Sequence, residues 1–223
     1  MVTEPKRILT NPWDVNRRLA DLGVVSEILI KAVESSQAAR AACTENDAPN
    51  FPAIAAWNGA VRSLREDLGI EQWIRLNDVG QPLIVRPDGE LAITPASGDE
   101  NTGREGIFDP KTNSCKGPKT IEKVQANGWL FNEMADDEAR KIDATNKRRM
   151  NLWILLIHYD KGIGQVRSEL SRPVDVDQEG RVVAWSERII LPPFDVEPTF
   201  TALPEQGSGP NDGEIDIDIK RRA

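Results

Sequence analysis

The sequence predicts an α+β protein: an N-terminal three-helix layer packed on a small antiparallel sheet, then a β-meander half and a disordered acidic C-terminal tail. Two observations carry this. Apolar residues recur at spacings of three and four up to Leu68, then at a spacing near two between Trp73 and Thr94. After residue 197 the chain turns to Pro, Gly, Ser and acidic residues, which bury too little apolar surface to order themselves.

The first helix follows from Asn11-Pro12, an N-cap and a proline at the first helical position. Val15, Leu19 and Leu22 then share a face, and Gly23 ends it. A second helix runs over residues 26–43, with Ser26 as its capping residue and Ile28, Leu29, Ala32 and Val33 as its stripe. Cys43 reads as a small buried hydrophobe at its end. Pro49 and Pro52 separate it from a third helix, whose face Ile54, Trp57, Val61, Leu64 and Leu68 is the clearest pattern in the chain. Gly69 is its expected stop.

Residues 73–76, 82–86 and 90–94 read as three short strands, separated by Asp78-Val79-Gly80 and Pro87-Asp88-Gly89. Residues 97–118 form a polar stretch, long for a structureless connection within a domain. A short helix near 119–126 follows, then a segment over 133–149 with five acids and five bases, expected as an exposed helix or linker. In the second half, Leu152 to Ile157 is a continuous apolar run, the mark of a strand buried on both faces. Further strands are expected over 165–171 and 181–191, with turns at Lys161-Gly162-Ile163-Gly164 and Gln178-Glu179-Gly180 and a stop at Pro192-Pro193. The expected division is 1–126, a connecting segment 127–150, a β-rich part 151–197 and the tail 198–223.

Composition limits the function classes. No apolar run approaches the roughly 20 residues that span a bilayer, and the first ten residues lack a signal-peptide core, so the expectation is cytoplasmic with no membrane partner. Net charge is −8, and residues 195–223 carry seven acids against three bases, so nucleic-acid binding is disfavoured. The six tryptophans are spread among separate elements, which suits core and interface packing better than a stacking stripe. Cys43 and Cys115 give no basis for a disulfide, and the single histidine, His158, reads as a partly buried structural residue. The Cys/His spacing of a zinc site is missing, and no metal or cofactor is expected.

Two segments carry chemistry. Ser97-Gly98-Asp99-Glu100-Asn101-Thr102-Gly103-Arg104 follows a strand and gathers two carboxylates, and Asp99 and Glu100 are the candidate residues of a metal-dependent hydrolase or nuclease. A surface turn held by local Asp and Asn hydrogen bonds is the favoured reading. At the other end, Glu214 to Lys220 alternates acids with isoleucines. Ile215, Ile217 and Ile219 on one side, with Asp216 and Asp218 on the other, suit strand addition to a sheet edge, its own or a partner's.

Residues 81–103, with Pro-Asp-Gly and Ser-Gly-Asp-Glu, and residues 152–193, ending in Glu-Arg-Ile-Ile-Leu-Pro, resemble an uncharacterised bacterial protein family associated with mobile elements. The resemblance implies a phage, plasmid or defence-related setting and assigns no activity or site. The expected function is therefore a non-catalytic accessory or regulatory protein acting through protein–protein contact. The alternatives are the metal-dependent hydrolase and an acidic inhibitor that imitates nucleic acid.

Overall fold

The structure, a computed structural model, describes residues 6–78, 80–106, 108–132 and 150–196. The charged segment 133–149 and the tail with its candidate docking residues Ile215, Asp216, Ile217, Asp218 and Ile219 lie outside the described residues.

Strands and helices follow in the order β1 (Arg7–Leu9), α1 (Pro12–Leu22), α2 (Ser26–Ala41), α3 (Phe51–Ile70), β2 (Ile74–Asp78), β3 (Gln81–Val85), β4 (Leu91–Ser97), α4 (Pro118–Asn132), β5 (Asn151–Asp160), β6 (Gln165–Val176), β7 (Val182–Ile190) and β8 (Phe194–Asp195). All eight strands join one sheet, ordered β1-β7-β6-β5-β4-β3-β2, with β8 on the far part of β6. This corrects the expected small antiparallel sheet. The seam is β4 against β5, parallel over seven residue pairs from Leu91–Asn151 to Ser97–Ile157. Parallel neighbours need a long crossover, and residues 98–150 with α4 supply it.

Both strands of the seam are apolar on both faces. Trp153 and Leu155 join one core with Leu19, Leu29, Leu64 and Leu68 from α1, α2 and α3. Leu152, Ile154 and Leu156 point the other way, into a second core that contains Val124 of α4. The uninterrupted Leu152–Ile157 run is explained by these two cores, since each fully buried aliphatic side chain contributes roughly 1.5–3 kcal/mol. At one sheet edge β1 pairs in parallel with β7, and Arg18 of α1 grips Glu187 of β7 through two bonds of 2.8 and 2.9 Å.

The helix ends hold two corrections. Asn11 caps α1, accepting from Trp13 N at 3.0 Å, and Gly23 closes it at φ 75°, as expected. Ser26, however, is the first residue of α2 and not its cap: Val25 occupies the N-cap and offers no side-chain bond. Gly69 does not stop α3, which runs on to Ile70, and Gln72 takes the left-handed conformation at φ 66° instead. Cys43 lies beyond α2, half-buried, with its thiol donating to Ala39 O.

Candidate functional site

The site emerges from a fault in the ladder between β3 and β4. Arg86 N donates to Leu91 O at 2.8 Å, and Ile84 pairs with Ile93. Hydrogen-bonded pairs recur at every second residue of an antiparallel ladder, so the next pair would be Pro82 opposite Pro95. Neither proline has an N–H, and both bonds of that pair are impossible. The strands part there, the Thr94 hydroxyl donating to Pro82 O at 2.8 Å as a single bridge across the opening. Arg65 of α3 holds the β2–β3 hairpin through Asn77 Oδ1 at 2.7 Å and Leu76 O at 2.9 Å. On the opposite face Lys123 of α4 ties Asp78 and Gln81.

The gap is a cleft of about 360 Å³, and a second hollow of about 320 Å³ adjoins it. Both share Trp57, Pro95, Ala96 and Lys116. Trp57 belongs to the stripe expected to be core, and here the structure overturns the sequence pattern. The buried face of α3 is Ala56, Ala60, Val61, Ser63, Leu64 and Leu68. Phe51, Ile54 and Trp57, on its first two turns, are 44%, 49% and 38% exposed. Gly59 explains how the helix can sit this way: a Cβ there would lie 2.7 Å from Ser35 O, so α2 and α3 approach closely on the side away from the ridge.

Lys116 stands in the cleft wall on a pinned loop. Thr112 N donates to Val182 O at 3.1 Å, Asn113 N to Ser97 O at 2.9 Å and Lys116 N to Gly180 O at 2.8 Å. Burial pushes its ammonium down to about 8, and the neighbouring Cys115 offsets only part of that. No carboxylate pairs with it among the described residues.

The loop that looked most chemical in the sequence has a different setting. Asp99 accepts from Asn101 N at 3.1 Å, and Asn101 Nδ2 lies 3.4 Å from its other oxygen, the local turn favoured above. Glu100 is exposed, and its backbone carbonyl accepts from Arg167 at 3.1 Å. The loop lies over the polar face of β6 and β7. Buried Glu169 accepts from Gly103 N at 2.8 Å, Ser171 Oγ at 2.7 Å and, in two bonds of 2.9 and 2.5 Å, from the fully buried Arg188. Arg188 and Arg167 in turn donate to the carbonyls of Arg104 and Thr102. Gly103, at φ 69°, is obligatory here, since a Cβ would lie 2.8 Å from that of Arg167. His158 joins the same structure, its Nδ1 donating to Gly98 O at 3.0 Å.

The Asp99 carboxylate is therefore engaged in its own turn, and Glu100 meets Arg167 through its backbone carbonyl. Among the described residues no three His, Cys, Asp or Glu side chains are grouped to hold a metal ion. Among those residues, too, no helix is long and apolar enough to cross a membrane. Sequence reasoning missed Lys116 and the role of the exposed ridge. The signal that could have found the cleft is the pair of prolines inside two strands flanking one hairpin. Set against protein-family models, curated proteins and solved structures, the chain matches none of them.

Proposed function

We propose that this protein is a non-catalytic accessory or regulatory protein that binds another protein through the α3 ridge. The carrying observation is that Phe51, Ile54 and Trp57 are exposed on the first two turns of one helix, with Ile54 and Trp57 bordering an open hollow. Large apolar side chains grouped in this way mark interaction surfaces, and buried Trp is among the commonest anchors of such interfaces. The partner presents apolar side chains to the ridge, and a phage, plasmid or defence-related setting for the pair is what the resemblance noted above implies. The nucleic-acid-mimic alternative is less favoured, because Glu169, Glu187 and Asp160 are paired with arginines and do not line a free acidic surface.

The test is affinity purification from the native host with the full chain, an Ile54→Glu/Trp57→Asp variant and a chain lacking residues 210–223. Both side chains are partly covered, so the variant should lose about 1–2 kcal/mol and still unfold cooperatively. A stoichiometric protein retained by the full chain and lost by the ridge variant supports the reading. Equal recovery with both, or bare protein throughout, overturns it. Loss on truncation alone would transfer the docking role to the tail.

A further inference from the structure

We infer that the cleft opened by Pro82 and Pro95 is a binding site for a small apolar monocarboxylate, with the Lys116 ammonium as its counter-charge. The inference stands apart from the protein–protein reading and shares only Trp57 with it. Three observations carry it. The cleft measures about 360 Å³, at the small end of the range for small-molecule sites, and its walls include Trp57, Pro82, Pro95, Ala96 and Ile154. Such walls take an apolar body. Lys116 lines both this cleft and the adjoining hollow, and no carboxylate among the described residues meets it. Lys116 is half-buried in the cleft wall, so its charge is partly desolvated without a partner, and an anion entering the cleft offsets that loss.

The charge count selects a single carboxylate. Lys116 is the one cation among the described cleft-lining residues, and Asp78 at the rim is already engaged with Lys123. A dianion such as phosphate would meet one positive charge and the Asp78 carboxylate together. Thr120 lines the same wall and supplies a hydroxyl to a carboxylate there, whereas the Thr94 hydroxyl is already committed to Pro82 O. The site is also built in advance. Arg65 and Lys123 hold the hairpin from both faces, and three backbone bonds fix residues 112–116, so little ordering entropy is lost on binding.

The experiment uses the full chain, with benzoate, phenylacetate and octanoate as probes and benzamide as the neutral control. Two readouts are taken: the thermal midpoint with each probe, and the rate at which an amine-reactive reagent labels each lysine as a function of pH. Lys116 should label with a midpoint near pH 8, well below the surface lysines. A carboxylate probe should raise the midpoint of unfolding, protect Lys116 selectively and shift its labelling profile to higher pH, with benzamide doing none of these. Lys116→Met should still unfold cooperatively yet bind the best probe about tenfold or more weakly, and Lys116→Arg should recover part of that loss. The inference is overturned if the whole carboxylate series leaves midpoint and Lys116 labelling unchanged. It is overturned equally if benzamide matches benzoate, or if Lys116→Met binds as well as the parent. Because Phe51 lines neither the cleft nor the adjoining hollow, Phe51→Ser alone should weaken partner capture and keep carboxylate binding, which separates failure here from failure of the partner reading.

Discussion

Glu169 receives four donors in the buried polar layer beneath the 98–104 loop: two from Arg188, one from Ser171 and one from the Gly103 amide. Both partners of the ion pair are fully buried, so removing one leaves a charge that water cannot reach. Glu169→Gln should therefore cost about 3–5 kcal/mol in urea unfolding, the usual consequence of stranding half a buried pair. Glu169→Gln with Arg188→Met should cost less than the sum of the two single changes, because no charge is then stranded. Additive losses would show that the pair is not coupled. None of this was legible in the sequence. Arg167, Glu169 and Ser171 alternate with Val166 and Leu170, the pattern of a strand with one wet face. Only tertiary structure brings the polar loop down on that face and converts a solvated pattern into a buried one. The same limit hid Lys116, whose unusual setting depends on a strand pair parting far from it in sequence.

Elements were legible where their signal is periodic and long. The α1 face, the buried β5 run and the turns at Gly164 and Gly180 are where the sequence places them, both glycines having positive φ. The three residues of β1 and the two of β8 are too short to show any period, and nothing local announces them. The α3 stripe failed for a different reason: helical spacing reports which residues share a face, not how far along the helix its cover extends. Pro82 begins one expected strand and Pro95 lies just past the end of another, though their opposition decides where the sheet opens. Replacing both by valine restores the two donors of the missing pair. Two new backbone bonds contribute about 0.5–1.5 kcal/mol each, against about 0.4–1 kcal/mol per lost proline in unfolded-state entropy. The net gain should be small, about 1 kcal/mol or less. The larger expected effect is structural: the new amides at positions 82 and 95 should exchange as slowly as other hydrogen-bonded ladder amides, and carboxylate binding should be lost as the slot closes. Fast, unprotected exchange of both new amides would show that the parting is imposed by Arg65 and Lys123 instead.

For the molecule as a whole, the β4–β5 seam decides whether the chain behaves as one unit. Ala92, Ile93, Leu152, Ile154 and Leu155 along that seam are fully buried, and both cores draw side chains from each side of it. β1 adds a second tie, since Leu9 pairs with Ile189 and Arg18 reaches Glu187. A chain cut between residues 132 and 150 would leave each fragment with an apolar strand edge and half of two cores, a state prone to aggregate. The intact protein should therefore unfold in one calorimetric transition, and the fragment ending at residue 132 should lack one of its own. Mixing the two fragments should restore the native near-ultraviolet circular dichroism, slowly, because pairing β1 with β7 closes nearly the whole described chain. If the N-terminal fragment alone unfolded cooperatively with a native spectrum, the seam would be a docking surface between two independent units. The cleft, built by β3, β4 and residue 154 of β5, would then sit at their junction and open when they part.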